Sequence, residues 1–350
     1  MYKKIFMGIA AAAALTLVSC SSDDLNSLSD NSSKNEAISF DGYWGRSAVA
    51  VNGSRGSVID KAEDLQKVSE GFGVFGNYKE ADGLEFGSNW FNNVPVKYSS
   101  KDTKWTYSPV KYWLPKGHID FLAYAPYVEG TTLKNTSCIE FTVADNAANQ
   151  KDLLWANAAN KTKDNISNTN NKVKFQFAHA LSRLGYTVKL NHDYTGTTFT
   201  LKKITLAGSD DGTENAFYTT GTIDLSKTSS TGLWTISATD AKQKFDWFSG
   251  TQELATTDYK NPDANYLFVI PQKFAAPATD VLYVIVEYTI DYNSGVTATM
   301  TNKVYKKLEK NFEQGKAYTI NLTIGLTPIE FDADVTPWGN GDNEDINSWN

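Results

Sequence analysis

The run Val173-Lys174-Phe175-Gln176-Phe177-Ala178-His179-Ala180-Leu181-Ser182-Arg183-Leu184-Gly185-Tyr186-Thr187-Val188-Lys189-Leu190 puts apolar side chains on every second residue, twice over. Val173, Phe175 and Phe177 share one face, and Leu184, Tyr186, Val188 and Leu190 share another. A period of two is the mark of a half-buried strand. His179-Ala180-Leu181-Ser182 breaks the period between the two, so we place a domain boundary at Leu181.

The same pattern extends outward in both directions. Before the boundary, Ile38, Phe40, Gly42 and Trp44 alternate, and strand-like runs follow at 72–78, 94–98, 105–107, 110–113, 119–124 and 139–143. After it come runs at 199–206, 216–225, 233–236, 266–270, 281–290 and 296–304. Tyr318, Ile320, Leu322 and Ile324 then alternate cleanly, as do Ile329, Phe331, Ala333 and Val335. Asp210-Asp211-Gly212 and Asn293-Ser294-Gly295 are hairpin turns. Two short helical pieces are expected. One runs from Asp60 to Glu70 and stops at Gly71; the other spans Leu308–Phe312. Residues 144–172 are rich in Asn, Ala, Lys and Asp and read as a long polar loop around Leu153-Leu154-Trp155. Many short strands with turn signals and no repeat describe an all-β chain of β-sandwiches.

The N-terminus has a different grammar. Lys3 and Lys4 precede an apolar run from Ile5 to Val18, which is short for a membrane span and fits an export leader. Leu17-Val18-Ser19-Cys20 resembles the lipobox of bacterial lipoproteins. That resemblance implies a cut before Cys20 and a thioether-linked lipid on its thiol, with more than one acyl chain for stable anchoring. Ser21-Ser22-Asp23-Asp24 is similar to the acidic signal that sends lipoproteins of Bacteroidota to the cell surface. Residues 20–36 then form a flexible tether. The expected division is 1–19 leader, 20–36 tether, 37–181 first domain and 182–350 second domain. The expected location is the surface of the outer membrane.

Charge and composition exclude several classes. The formal net charge is −7, and losing Lys3 and Lys4 with the leader makes the chain more acidic still. Such a chain has no electrostatic footprint for nucleic acid. With Cys20 lipidated, Cys138 has no partner, and its setting in Ser137-Cys138-Ile139 suggests a small core residue. His118, His179 and His192 stand apart from Cys, Asp and Glu at ligand spacing and are read as structural. Gly71-Phe72-Gly73-Val74-Phe75-Gly76 fits the dinucleotide fingerprint by letter, but it alternates as a strand instead of opening a helix. Asp342, Glu344 and Asp345 read as a solvated acidic tail. No enzyme, cofactor or metal is expected.

Five stretches in order carry a further resemblance: Phe72–Phe75, Trp105-Thr106-Tyr107-Ser108-Pro109-Val110-Lys111-Tyr112-Trp113, Phe121-Leu122-Ala123-Tyr124-Ala125-Pro126-Tyr127, Phe175–Ser182 and Gly315-Lys316-Ala317-Tyr318. Together with the lipobox they resemble the fimbrillin family, the type V pilins of Bacteroidota. The resemblance implies two tandem transthyretin-like β-sandwiches, proteolytic loss of the lipidated N-terminal segment and polymerisation with other fimbrial subunits by strand exchange. It assigns the removable strand to Ile38–Trp44, with Ile38, Phe40 and Trp44 as its apolar residues. The cut falls after Arg55, with Arg46 second. The donor strand comes from 326–337, anchored by Ile329, Phe331 and Val335. Two alternatives stand beside this. Both strands are permanent parts of a monomer, or the protein is a tip, anchor or glycan-binding lipoprotein. The glycan reading needs exposed aromatics such as Trp90 with Phe91, Trp155, or Trp247 with Phe248, and an adhesive loop at 144–172 touching surface glycans or proteins.

Overall fold

The structure is a computed structural model that describes residues 36–44, 59, 62–262, 265–293, 295, 299–326 and 330–337. The expectations for Cys20, Arg46, Arg55, Ile329 and the acidic tail lie outside these residues.

The first half of the described chain builds one α-helix, α1 (Ala62–Lys67), and eight strands. They are β1 (Phe40–Trp44), β2 (Phe72–Lys79), β3 (Phe91–Ser99), β4 (Lys104–Thr106), β5 (His118–Ala125), β6 (Cys138–Thr142), β7 (Leu154–Lys161) and β8 (Val173–His179). Seven of them form one sheet in the order β1-β8-β7-β5-β2-β3-β4. β1 runs parallel to β8, while the other neighbours are antiparallel.

Ser182–Leu190 (β9) and Thr197–Ala207 (β10) begin two further sheets. In one, β9 lies between Tyr259–Lys260 and Lys316–Ile324, and Glu330–Pro337 closes the outer edge. In the other, β10 lies between Phe245–Glu253 and Tyr283–Tyr292, with Met300–Lys307 outermost. The alternation read from sequence becomes burial. Leu184, Tyr186 and Val188 of β9 are fully buried, and they cluster with Leu201, Ile204, Val284, Ile320 and Leu322. Two sheets whose apolar faces share one core make a β-sandwich. β6, early in the chain, pairs with Thr220–Asp224 of this later half.

The seven-stranded sheet is buried on both faces at its centre. Every residue of β5 is buried. Phe121 and Ala123 point into a first core with Phe40, Phe72, Phe91 and Phe175. Leu122 and Tyr124, on the opposite face, join the core of the later sandwich. Inside such a strand a polar group must find partners. Asp120 does so by accepting the backbone N–H groups of Glu85 at 2.8 Å and Asn160 at 2.6 Å.

Four local expectations are corrected. Residues 144–172 are not a loop: they contain β7, a strand inside the sheet between β5 and β8. Leu154, Trp155, Ala156 and Ala158 are buried there, and with alanines at the last two positions the strand lacks the bulky alternation that would have revealed it. Leu308–Phe312 is not helical. Asn311–Phe312 pairs with Gln272–Lys273 because Phe312 is drawn into the second core. Val110–Trp113 makes only an isolated bridge, Tyr112 to Ala37. Cys138 is half-buried, not a core residue; desolvation, helped by Asp224, raises its thiol pKa and makes it a poor nucleophile. The Gly71–Gly76 stretch is strand, as read, and Gly71 at φ +71° ends the turn after α1.

Candidate strand-exchange groove

β1 is short, yet it fills a deep seat. Ile38 is 1% exposed and Phe40 2%. The Phe40 ring lies 5.3 Å from Tyr107, 5.5 Å from Phe91 and Phe121, and 5.6 Å from Phe175. The Phe91 and Phe121 pairs are edge-to-face, the Tyr107 pair is tilted and the Phe175 pair stacked; aromatic pairs of these kinds contribute about 0.5–1.5 kcal/mol each beyond simple burial. Two residues on, the seat narrows. A Cβ on Gly42 would stand 3.0 Å from Leu65 Cδ2 and 3.2 Å from Phe177 Cε2, so only a small residue fits. Leu65, on α1, closes this end, and it and Ile59 are both buried in the same core.

Backbone pairing fixes the register. Phe40 through Trp44 lie opposite Val173 through Phe177, and Val173 N–H donates to the Ser39 carbonyl at 2.8 Å. On the other side the start of the segment is held by residues 107–113. Ile38 N–H donates to Lys111 O at 2.8 Å, and Trp113 N–H donates to Glu36 O at 2.9 Å. The Tyr107 hydroxyl donates to Ile38 O at 2.7 Å. Burial pushes the Tyr107 phenol up to about 12, so it remains a donor at any physiological pH.

The second candidate strand, Glu330–Pro337, lies antiparallel to Lys316–Ile324 at the edge of a different sheet. Phe331 stands opposite Leu322, Ala333 opposite Ile320 and Val335 opposite Tyr318. Val335 is partly buried against the second core. The two candidate strands are not paired with each other.

Sequence reasoning named the occupants of the groove and missed its walls. Phe91, Tyr107, Phe121 and Phe175 come from four separate stretches; Tyr107, Phe121 and Phe175 each lay in a strand-like run, but nothing local showed that they meet. It also missed an acid–base pair. His179 Nδ1 lies 2.8 Å from Asp152 Oδ2, with both residues buried, 27 positions apart in sequence. The pair ties the end of β8 to the segment entering β7. The aromatics assigned to glycan stacking turn inward: Phe91, Trp155 and Trp247 are buried and Trp90 and Phe248 partly so. Among the described residues no cluster of His, Cys, Asp and Glu could hold a metal ion, and no helix is long and apolar enough to cross a membrane.

Comparison with known proteins supplies the context. The model of the fimbrillin-like family matches residues 61–338. A fimbrial protein from Bacteroides vulgatus is similar in structure, with a TM-score of 0.64 at 20% identity over 87% of this chain and all of its own. A candidate cell adhesion protein from Bacteroides ovatus follows at 0.50 and 16% identity, covering 87% of this chain and 98% of its own. No curated protein sequence matches the chain.

Proposed function

Because the chain belongs to the fimbrillin-like family, we propose that it is a structural subunit of a cell-surface fimbria that assembles by exchanging strands with neighbouring subunits. In this reading it is exported as a lipoprotein through Cys20 and held at the outer membrane until proteolysis after Arg55 or Arg46 frees the N-terminal segment. Its two β-sandwich domains are residues 37–181 and 182–350. Its role is adhesive and structural, and the partners are other fimbrial subunits.

The observation that carries the reading is the seat of β1. A strand at a sheet edge, buried by Phe40 among four aromatic rings, covers unpaired backbone on β8 and an apolar trough. Losing it leaves both unsatisfied, and a foreign strand can restore both by β-augmentation. Burying two or three large side chains stabilises such a joint at about 1.5–3 kcal/mol each.

The test is treatment of the full chain carrying Cys20→Ser with an Arg-specific protease, followed by intact mass and native oligomer size. One cut after Arg55 or Arg46 and a ladder of stable multimers is the expected outcome. A clean cut that leaves only monomer refutes strand exchange and turns the reading toward a tip or anchor protein.

A further inference from the structure

His179-Ala180-Leu181-Ser182, which breaks the alternating period, is the direct link from the seven-stranded sheet to β9, and each of its residues is tied down. Ala180 and Leu181 are fully buried, so their backbone groups need partners. Ala180 N–H donates to Leu153 O at 2.8 Å, and Ala180 O accepts Trp234 Nε1–H at 2.7 Å. The other partners come from the turn that leads into Lys316–Ile324. Gly315 N–H donates to Leu181 O at 3.0 Å, the Ser182 hydroxyl donates to Glu313 O at 2.7 Å, and the Gln314 side chain donates to His179 O. The buried His179–Asp152 pair fixes the same corner.

Beyond this corner Lys316–Ile324 runs parallel to β9 through eight consecutive pairs, from Ala317 opposite Arg183 to Ile324 opposite Leu190. Leu184, Tyr186 and Val188 of one strand and Tyr318, Ile320 and Leu322 of the other are buried in the same core. The Thr187 hydroxyl donates to Asn321 Oδ1 across the pair at 2.7 Å. On its far side β9 is paired again, with Leu267–Val269 and Tyr259–Lys260.

Direction decides how such a pair meets force. Parallel strands begin at the same end. Tension entering from β8 pulls β9 by its N-terminal end, and tension leaving through Leu326 pulls Lys316–Ile324 by its C-terminal end. The strands can then only slide past each other, and all eight pairs resist together. Antiparallel strands pulled at the same two points would open one pair at a time. A single backbone hydrogen bond is weak, so resisting together is what makes the joint strong.

Resting on the strand-exchange reading above, in which the chain beyond Leu326 enters a neighbour and another neighbour is held beside β8, we propose that β9 and Lys316–Ile324 are a mechanical clamp. It carries the pull along the fibre in shear. The tied corner at 179–182 passes that pull from the seven-stranded sheet to β9 without slack.

Force spectroscopy on the single, uncut full chain tests this. Gln176, on β8, and Leu326 are exposed and serve as attachment points. The chain carrying Cys20→Ser, Cys138→Ser, Gln176→Cys and Leu326→Cys is stretched between its two thiols, which shears the pair. Its counterpart carries Glu313→Cys in place of Leu326→Cys. Glu313 is exposed and stands just before Lys316–Ile324, so this geometry opens the pair from the end where both strands begin. Forced unfolding is governed by the barrier met along the pull. The first geometry is expected to rupture at a several-fold higher force, releasing 182–324 in one event. Equal forces in the two geometries, or a first release at low force confined to 177–181, overturn the clamp and leave strand exchange standing. Protease-cut chain that forms no multimers overturns strand exchange, and the clamp's part in a fibre with it.

Discussion

Replacing Phe40 with alanine isolates the contribution of one ring to the retention of β1. The ring touches four aromatic partners at 5.3–5.6 Å and is 2% exposed. Truncating a buried phenylalanine of this kind costs about 3–5 kcal/mol through lost transfer and the cavity left behind. β1 is an edge strand next to only one other strand of its sheet, so this loss falls on a local opening before it falls on the global one. Hydrogen exchange is the assay. With 1.4 kcal/mol per factor of ten, protection of the β1 amides should fall by roughly two to three and a half powers of ten. Protection of β9 and of Lys316–Ile324, in the other sandwich, should change far less. A tenfold fall or less at β1 would mean that the ring is not what holds the strand. An equal fall across the whole chain would mean that β1 does not open by itself, and the argument for a separable strand would fail.

Tyr107→Phe removes the hydroxyl that donates to Ile38 O and should loosen the same segment by about 1 kcal/mol, read as a roughly fivefold rise in β1 exchange. Gly71→Ala places a Cβ 2.0 Å from the Val96 carbonyl at φ +71°, and should lower the melting temperature by an amount equivalent to at least about 2 kcal/mol; an unchanged melt would contradict the turn. Glu70 is held at about pKa 2, chiefly by its hydrogen bonds from Lys151 and Ser69. A depressed carboxyl adds stability above its unfolded value, and that stability is lost as pH falls through the folded one, so Lys151→Met should return the Glu70 titration toward 4.5. Because both groups are partly exposed, the accompanying loss near neutral pH should stay below about 1 kcal/mol. Cys138 should alkylate slowly at pH 7.5 in the folded protein and faster in Asp224→Asn, since that carboxylate helps hold the thiol up.

The fold class was legible because alternation is a local property: Leu184, Tyr186 and Val188, or Tyr318, Ile320 and Leu322, declare a strand and its buried face without reference to anything distant. The strand that escaped, β7, sits between two neighbours inside a sheet, where alanines at 156 and 158 satisfy close packing and leave no bulky period to read. The helix expected at 308–312 failed for the complementary reason: Leu308 and Phe312 stand four apart by coincidence, and Phe312 is placed by Phe217, Phe274 and Tyr318 from other parts of the chain. Pairing partners are chosen by contacts distant in sequence, and no local pattern records them.

By itself, then, the sequence determined an acidic, strand-built chain and the family motifs along it. Only the tertiary structure decided that β1 runs parallel to β8, that four rings from four stretches converge on Phe40, and that Gly42 marks a narrow seat. It also brought Asp152 to His179 and turned the tryptophan-bearing stretches inward. The division is physical. Periodicity is set by the backbone within a few residues, whereas a groove exists only where separate strands have already been brought side by side.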